Sequence, residues 1–235
     1  MDINAISKAI FEGAKDIIIT WFSVLTRGAS ALRGFDLETN TTLLYALRFM
    51  VYMAFVSTIV DLPFMTGAAA KGEDKMFVVA AVVEEYLECL PIALILHGCM
   101  KLFGGRGRLQ SCIAGYCFLT AYLPIIAVLM LPEKRVTVPA ITQGSNYPTV
   151  VKQLSIALGS LSTWDRYMFW FSYVATTVVF VVFFIGVFRC FRALHKLSRR
   201  RAVVAFIVGL LCSAVFLMGF EEPFLSAVYH AFLTK

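Results

Sequence analysis

Glu84, Glu85 and Glu88 stand near the middle of MFVVAAVVEEYLECLPIALILHGCMKLF, the apolar run from Met76 to Phe103. On a helix Glu84 and Glu88 are neighbours at i, i+4 and Glu85 falls between them, so the three share one arc of about 100°. A charged carboxylate at mid-bilayer costs roughly 2.5–3.5 kcal/mol even on the mildest scale, so this face requires protons, partners or water. Pro91 removes one helix bond and frees the carbonyl of Leu87 beside the cluster. Three carboxylates and a loose carbonyl are the oxygens that a proton or cation path uses. A buried ion pair with protonated neighbours, gluing a helix bundle together, is the plainer alternative. Arg48 is the expected partner. Counted from where each run enters the bilayer, Arg48 lies about 9 Å from the inner edge and Glu88 about 12 Å from it, so the two pair across a first hairpin.

Other chemistry fails on spacing. Membrane-embedded proteases of the CAAX type follow a Glu-Glu pair with Arg three residues later, whereas Cys89 follows Glu84-Glu85 and Ser226 follows Glu221-Glu222. A di-metal carboxylate site wants Glu-x-x-His, and Leu87 and Glu88 occupy those places. His97 reads as a rim residue, His195 belongs to a basic loop and His230 to the tail, so no histidine cluster is expected. Cys89, Cys99, Cys112, Cys117, Cys190 and Cys212 form no CxxC pair and read as small apolar residues. There is no GxSxG, Walker or zincin motif. No catalytic residue, metal site or cofactor is therefore expected.

Two basic features remain. Gly104-Gly105-Arg106-Gly107 can form an anion-binding nest, but a tight turn between two helices needs the same glycines. Arg189, Arg192, Lys196, Arg199, Arg200 and Arg201 suit anionic lipid headgroups or an acidic partner, or serve simply as a topology anchor.

Composition says what must position these residues. The chain of 235 residues is 60% hydrophobic and 15% charged. An ordinary soluble domain is about 45–50% apolar. A helix needs about 20 apolar residues to cross the roughly 30 Å hydrocarbon core. Leu43 to Val60, Met76 to Phe103, Cys112 to Leu131, Tyr167 to Phe188 and Ala202 to Phe220 qualify and lack barrel-strand alternation. The expected fold is all-α, a polytopic five-helix transmembrane bundle. With the N-terminus cytoplasmic, fourteen Lys and Arg residues fall inside and seven outside, which favours N-in and C-out. The formal charge of +6 thus follows from topology, and nucleic-acid binding is not expected.

Residues 1–40 form a cytoplasmic N-terminal segment, 41–220 the five-span domain and 221–235 a C-terminal tail with a possible short helix. In the first of these, Ile3, Ile6, Ile10, Ala14, Ile17, Trp21 and Leu25 recur at helical intervals, so residues 3 to 25 suit an amphipathic helix. It lies in the interface with Trp21 at headgroup depth, or it packs on the cytoplasmic face of the bundle. The run DIIITWFSVL with Ala29 and Ala31 imitates a signal peptide, but Asp2, Glu12 and Asp16 occupy the region that should be basic. Residues 132 to 166 make a long outer connection in which VVKQLSIALGSL reads as a short surface helix.

LHGCMKLFGGRGRLQSCIAGYCFLTAYLP, from Leu96 to Pro124, resembles the part of Yip1-domain membrane proteins where a helix ends in a Gly-rich basic turn and the next carries Tyr and Pro. GVFRCFRALHKLSRRRAVVAFIVGLL, from Gly186 to Leu211, resembles their later helix, LHxLS-type loop and final span. The family's DLYGP-type motif is not reproduced by Asp61-Leu62-Pro63-Phe64. The resemblance implies five spans with a cytoplasmic N-terminus, no catalysis, and action by association with other membrane proteins, as homo- or hetero-oligomers. The expectation is a scaffold that organises membrane or trafficking, placed in a bacterial inner membrane. The alternative is a small transporter or ion pathway using Glu84, Glu85 and Glu88.

Overall fold

The computed structural model describes the backbone of residues 3–61, 75–143, 147–217 and 219, and the side chains of residues 13, 15–61, 89–137, 152–217 and 219. Every regular element among them is helical. In chain order they are α1 (Ile3–Arg27), α2 (Asn40–Asp61), α3 (Lys75–Leu102), α4 (Leu109–Leu119), α5 (Leu123–Leu129), α6 (Leu131–Gln143), α7 (Tyr147–Ser160), α8 (Thr163–His195) and α9 (Arg199–Phe216), with 3-10 segments at Gly28–Gly34 and Thr120–Tyr122.

Among the described residues three helical stretches are long and apolar enough to cross a membrane: Asn40–Asp61, Leu109–Leu129 and Thr163–His195. They contain the first, third and fourth of the apolar runs. The second lies within α3, whose apolar part with described side chains is Cys89–Leu102. The fifth lies in α9, an 18-residue helix that opens on Arg199, Arg200 and Arg201.

The third run is not one smooth helix. Pro124 has no N–H to offer the carbonyl of Thr120, and the chain tightens to 3-10 geometry over Thr120–Tyr122 before α5 begins. This broken helix is the centre of the molecule: 72% of the most apolar 18 residues within Leu109–Leu129 are buried, against 39% in α2 and 33% in α8. α2 runs along α4 and α5, α8 along α4, and α3 along α9. Small residues let these axes approach closely. A methyl group added at Gly209 would meet Leu96 at 2.8 Å, and one at Gly115 would meet the Cys190 sulfur at 2.6 Å.

Polar contacts sort the helix ends into two groups. At one end Glu38 pairs with Arg108 at 3.0 Å, Gln110 donates to Asn40, and the Arg106 N–H donates to the His195 carbonyl. At the other, Lys134 of α6 meets Asp61 of α2 at 2.6 Å, and Ser172 donates to the Leu129 carbonyl. The segments sharing an end are those that alternation along a multi-pass chain puts together.

The N-terminal stripe is helical as expected, and Ile17, Thr20 and Val24 are buried. Trp21 turns toward the bundle. Its indole N–H donates to the Ala121 carbonyl at 2.8 Å, in the 3-10 turn where helical bonding is interrupted. Thr20 bonds the Tyr45 hydroxyl at 2.8 Å. The connection over 132–166 holds two helices where one was expected: α7 covers the anticipated stretch up to Ser160, and α6 packs against it. The tail after Phe220 lies outside the described residues.

Candidate functional site

The most unusual polar arrangement lies at the Glu38–Arg108 end and is built by two helix terminations. α3 stops because Gly104 takes φ of 89°, so the Gly105 N–H reaches back to the Met100 carbonyl and the Gly104 N–H to that of Lys101, both at 2.9 Å. α8 stops in the same manner. Lys196 takes φ of 52°, and Lys196 and Leu197 donate to the carbonyls of Ala193 and Arg192. The two ends meet. The Arg106 N–H donates to the His195 carbonyl at 3.1 Å and the Gly107 N–H to His195 Nδ1 at 3.3 Å.

His195 is fully buried, and the glycine loop is moulded to its ring. A methyl group at Gly105 would sit 2.3 Å from Nδ1, and one at Gly107 3.0 Å from Cδ2. On the ring's other side Nε2 lies 3.3 Å from Cys112 Sγ, which in turn lies 3.3 Å from His97 Nδ1. The His97 and His195 rings are 4.9 Å apart. Cys112 is fully buried near the start of α4, and His97 is half-buried on the last turns of α3.

The network assigns the protons. Nδ1 of His195 accepts from Gly107, so a neutral ring carries its hydrogen on Nε2 and donates it to Cys112. The Cys112 thiol is then free to donate to His97 Nδ1, completing a relay from loop to α8 to α4 to α3. The three ligand atoms lie within 4.8 Å of one another, a spacing and a donor set that zinc or another soft metal ion accepts. The surroundings favour the relay instead. A metal-bound imidazole ordinarily donates its second N–H outward. Here that nitrogen faces an N–H donor, and the Lys101 ammonium acts electrostatically on all three residues. Nucleophilic chemistry is equally disfavoured, because a substrate has no path to a sulfur with zero exposure.

This arrangement corrects two expectations and agrees with the turn reading of the glycine loop. His97 and His195 are not separate rim and loop residues, since packing brings them into contact. Cys112 is more than apolar filling, although Cys89, Cys99, Cys117 and Cys190 are buried as anticipated and Cys212 is exposed. The glycine loop is a turn and not an anion nest, because the N–H groups of Gly104, Gly105, Arg106 and Gly107 all have acceptors within the protein.

The side chains of Glu84, Glu85 and Glu88 lie outside the described residues, and with them the pairing of Glu88 with Arg48. Arg48 itself is exposed on α2. Arg189, Arg192, Lys196, Arg199, Arg200 and Arg201 are all exposed. Arg192 bends back toward the Leu197 carbonyl and Arg201 lies near Gly104, whereas Arg189 lines a cleft with Arg27 and Arg33. Arg27 and Arg33 drew no attention in the sequence, where each is an isolated basic residue.

No family model, curated protein or solved structure matches this chain.

Proposed function

We propose that this chain is a five-span membrane protein of the Yip1 kind, without catalytic activity, which works by assembling with other membrane proteins or by organising the bilayer around it. The surface of α8 carries this reading. Trp164, Tyr167 and Trp170 are 70%, 69% and 55% exposed at its start, as in the aromatic belts that mark membrane interfaces. Val174, Val178 and Val181 follow, all more than half exposed. The 22 residues from Tyr167 to Phe188 hold no charge and rise about 33 Å, close to the hydrocarbon thickness. Arg189 is the next charge.

This frame sets a level for α1. Through Trp21 and Thr20 it meets the bundle at Ala121 and at Tyr45, one turn before the exposed Arg48. An amphipathic helix lying in the cytoplasmic interface fits that position, with Ile18, Ile19 and Phe22 turned outward at 52%, 56% and 57% exposure. α3 and α9, packed side by side, supply the remaining two spans.

The deciding experiment uses purified protein in liposomes with a trapped pH dye and an imposed potential. The expected result is no proton or cation flux above empty liposomes and resistance of the inserted protein to alkaline extraction. Flux that disappears in folded Glu84→Gln and Glu88→Gln variants would replace the scaffold reading with a transport one.

A further inference from the structure

We propose that the cleft between the Gly28–Gly34 segment and α8 binds one anionic phospholipid, with its phosphate held by Arg27, Arg33 and Arg189 and an acyl chain laid along Val182 and Ile185. This rests on the membrane reading above and gives it a ligand. The cleft has a volume of about 520 Å³. Along α8 it runs from Val182 to Leu194, a rise of about 18 Å.

Packing brings the three arginines together. Leu32 and Cys190 both approach Gly115, so their neighbours Arg33 and Arg189 stand at one level across the cleft. Gly28, next to Arg27, comes close to the Tyr122 hydroxyl, where a methyl group would lie 3.7 Å from it, and Arg27 and Tyr122 line the same cleft. All three side chains are exposed, and among the described residues none has a carboxylate partner. Glu38 also lines the cleft, but Arg108 holds it at 3.0 Å. Unopposed guanidinium groups facing one cavity call for an anion, and their planar forks match phosphate oxygens.

The opposite wall decides which anion. Val182 and Ile185 are 44% and 45% exposed and belong to the uncharged stretch of α8 that ends at Arg189. A small soluble anion makes no use of that surface, whereas a phosphodiester with an acyl chain fills both halves. Arginine at the level where apolar surface gives way to polar is also where headgroups lie.

The test uses full-length protein in a mild detergent, titrated separately with phosphatidylglycerol, phosphatidylcholine and inorganic phosphate, and read by lipid retention in native mass spectrometry and by thermal unfolding. Phosphatidylglycerol is expected to be retained and to raise the unfolding midpoint. The R27Q/R33Q/R189Q variant is expected to bind it on the order of a hundredfold more weakly, and R199Q/R200Q/R201Q to bind as wild type does. The charge-retaining R27K/R33K/R189K variant is expected to bind between wild type and the glutamine variant, because the charge stays and the fork is lost, and its unfolding midpoint without lipid separates lost binding from lost fold. Equal retention of phosphatidylcholine, undiminished binding by the glutamine variant, or matching protection by inorganic phosphate overturns the proposal. Failure of wild type to co-float with phosphatidylcholine vesicles would sink the membrane reading itself, whereas a protein that floats yet shows no headgroup preference sinks only the lipid site.

Discussion

The Gly107 N–H donates to Nδ1 of His195 across 88 residues of sequence, at 3.3 Å, and so fixes which nitrogen of a buried imidazole carries the proton. The loop and the ring specify each other. The ring needs the loop's donor, and the loop can lie close enough to donate only because Gly105 and Gly107 have no side chains.

Gly107→Ala and Gly105→Ala are expected to destabilise the protein by about 1–3 kcal/mol, because the added carbon displaces either His195 or the loop. Gly98→Ala is the control. Gly98 lies inside α3 with nothing within 4 Å of an added methyl, so the change should be neutral or stabilise by about 0.5–1 kcal/mol. Thermal unfolding in detergent checks both, and equal losses at Gly98 and Gly107 would remove the steric explanation.

The relay makes a statement about metals. Zinc added to purified protein should leave the unfolding midpoint unchanged, and Cys112 should resist alkylation until the protein unfolds. A zinc-dependent rise that Cys112→Ser and His97→Gln each abolish would show that the Gly107 peptide moves aside for an ion.

His195→Gln keeps a polar group but cannot meet Gly107 and Cys112 with the same geometry. Removing a buried partner leaves donors unsatisfied, at about 1–3 kcal/mol. Hydrogen exchange should rise at Arg106 and Gly107 and stay unchanged near Asp61, at the far end. A uniform rise along the chain would mean that the relay does not localise the loop.

Trp21→Phe removes the indole donor to Ala121 and keeps most of the apolar area. The expected loss is about 1 kcal/mol, with a similar loss for Thr20→Val at Tyr45. Both weaken the attachment of α1, so proteolysis within residues 13–27 should accelerate in the double variant while α8 stays protected. Unchanged cleavage would count against these bonds as what holds α1.

At the other end Lys134 and Asp61 are 20% and 19% exposed and lie 2.6 Å apart, as an ion pair without hydrogen-bond geometry. Asp61→Ala leaves a largely buried ammonium uncompensated. It should cost up to about 3 kcal/mol, and pairing it with Lys134→Met should recover part of that. An additive double variant would show that the two charges act independently.

Much of the fold was written in local sequence. Tyr167–Phe188 announces a membrane-crossing helix because the transfer energies of its residues add regardless of what surrounds them. The helical spacing of Ile17, Trp21 and Leu25 likewise marked a face of α1 that packs, although Thr20 and Val24 beside it are more deeply buried than Trp21 and Leu25. Gly104 marked a turn after the second run through its own backbone chemistry, whereas the break before Pro124 lies inside a run that reads as a single span. The sequence did not determine which partners those helices choose. His97, Cys112 and His195 are separated by 15 and 83 residues, and no periodicity links them. Arg27, Arg33 and Arg189 converge only because Leu32, Gly115 and Cys190 pack together. Hydrophobic run length is a sum over neighbours in the chain. A hydrogen-bond relay or a cationic cleft is set by helix crossing and by the depth at which each turn ends, and only the tertiary structure decided those.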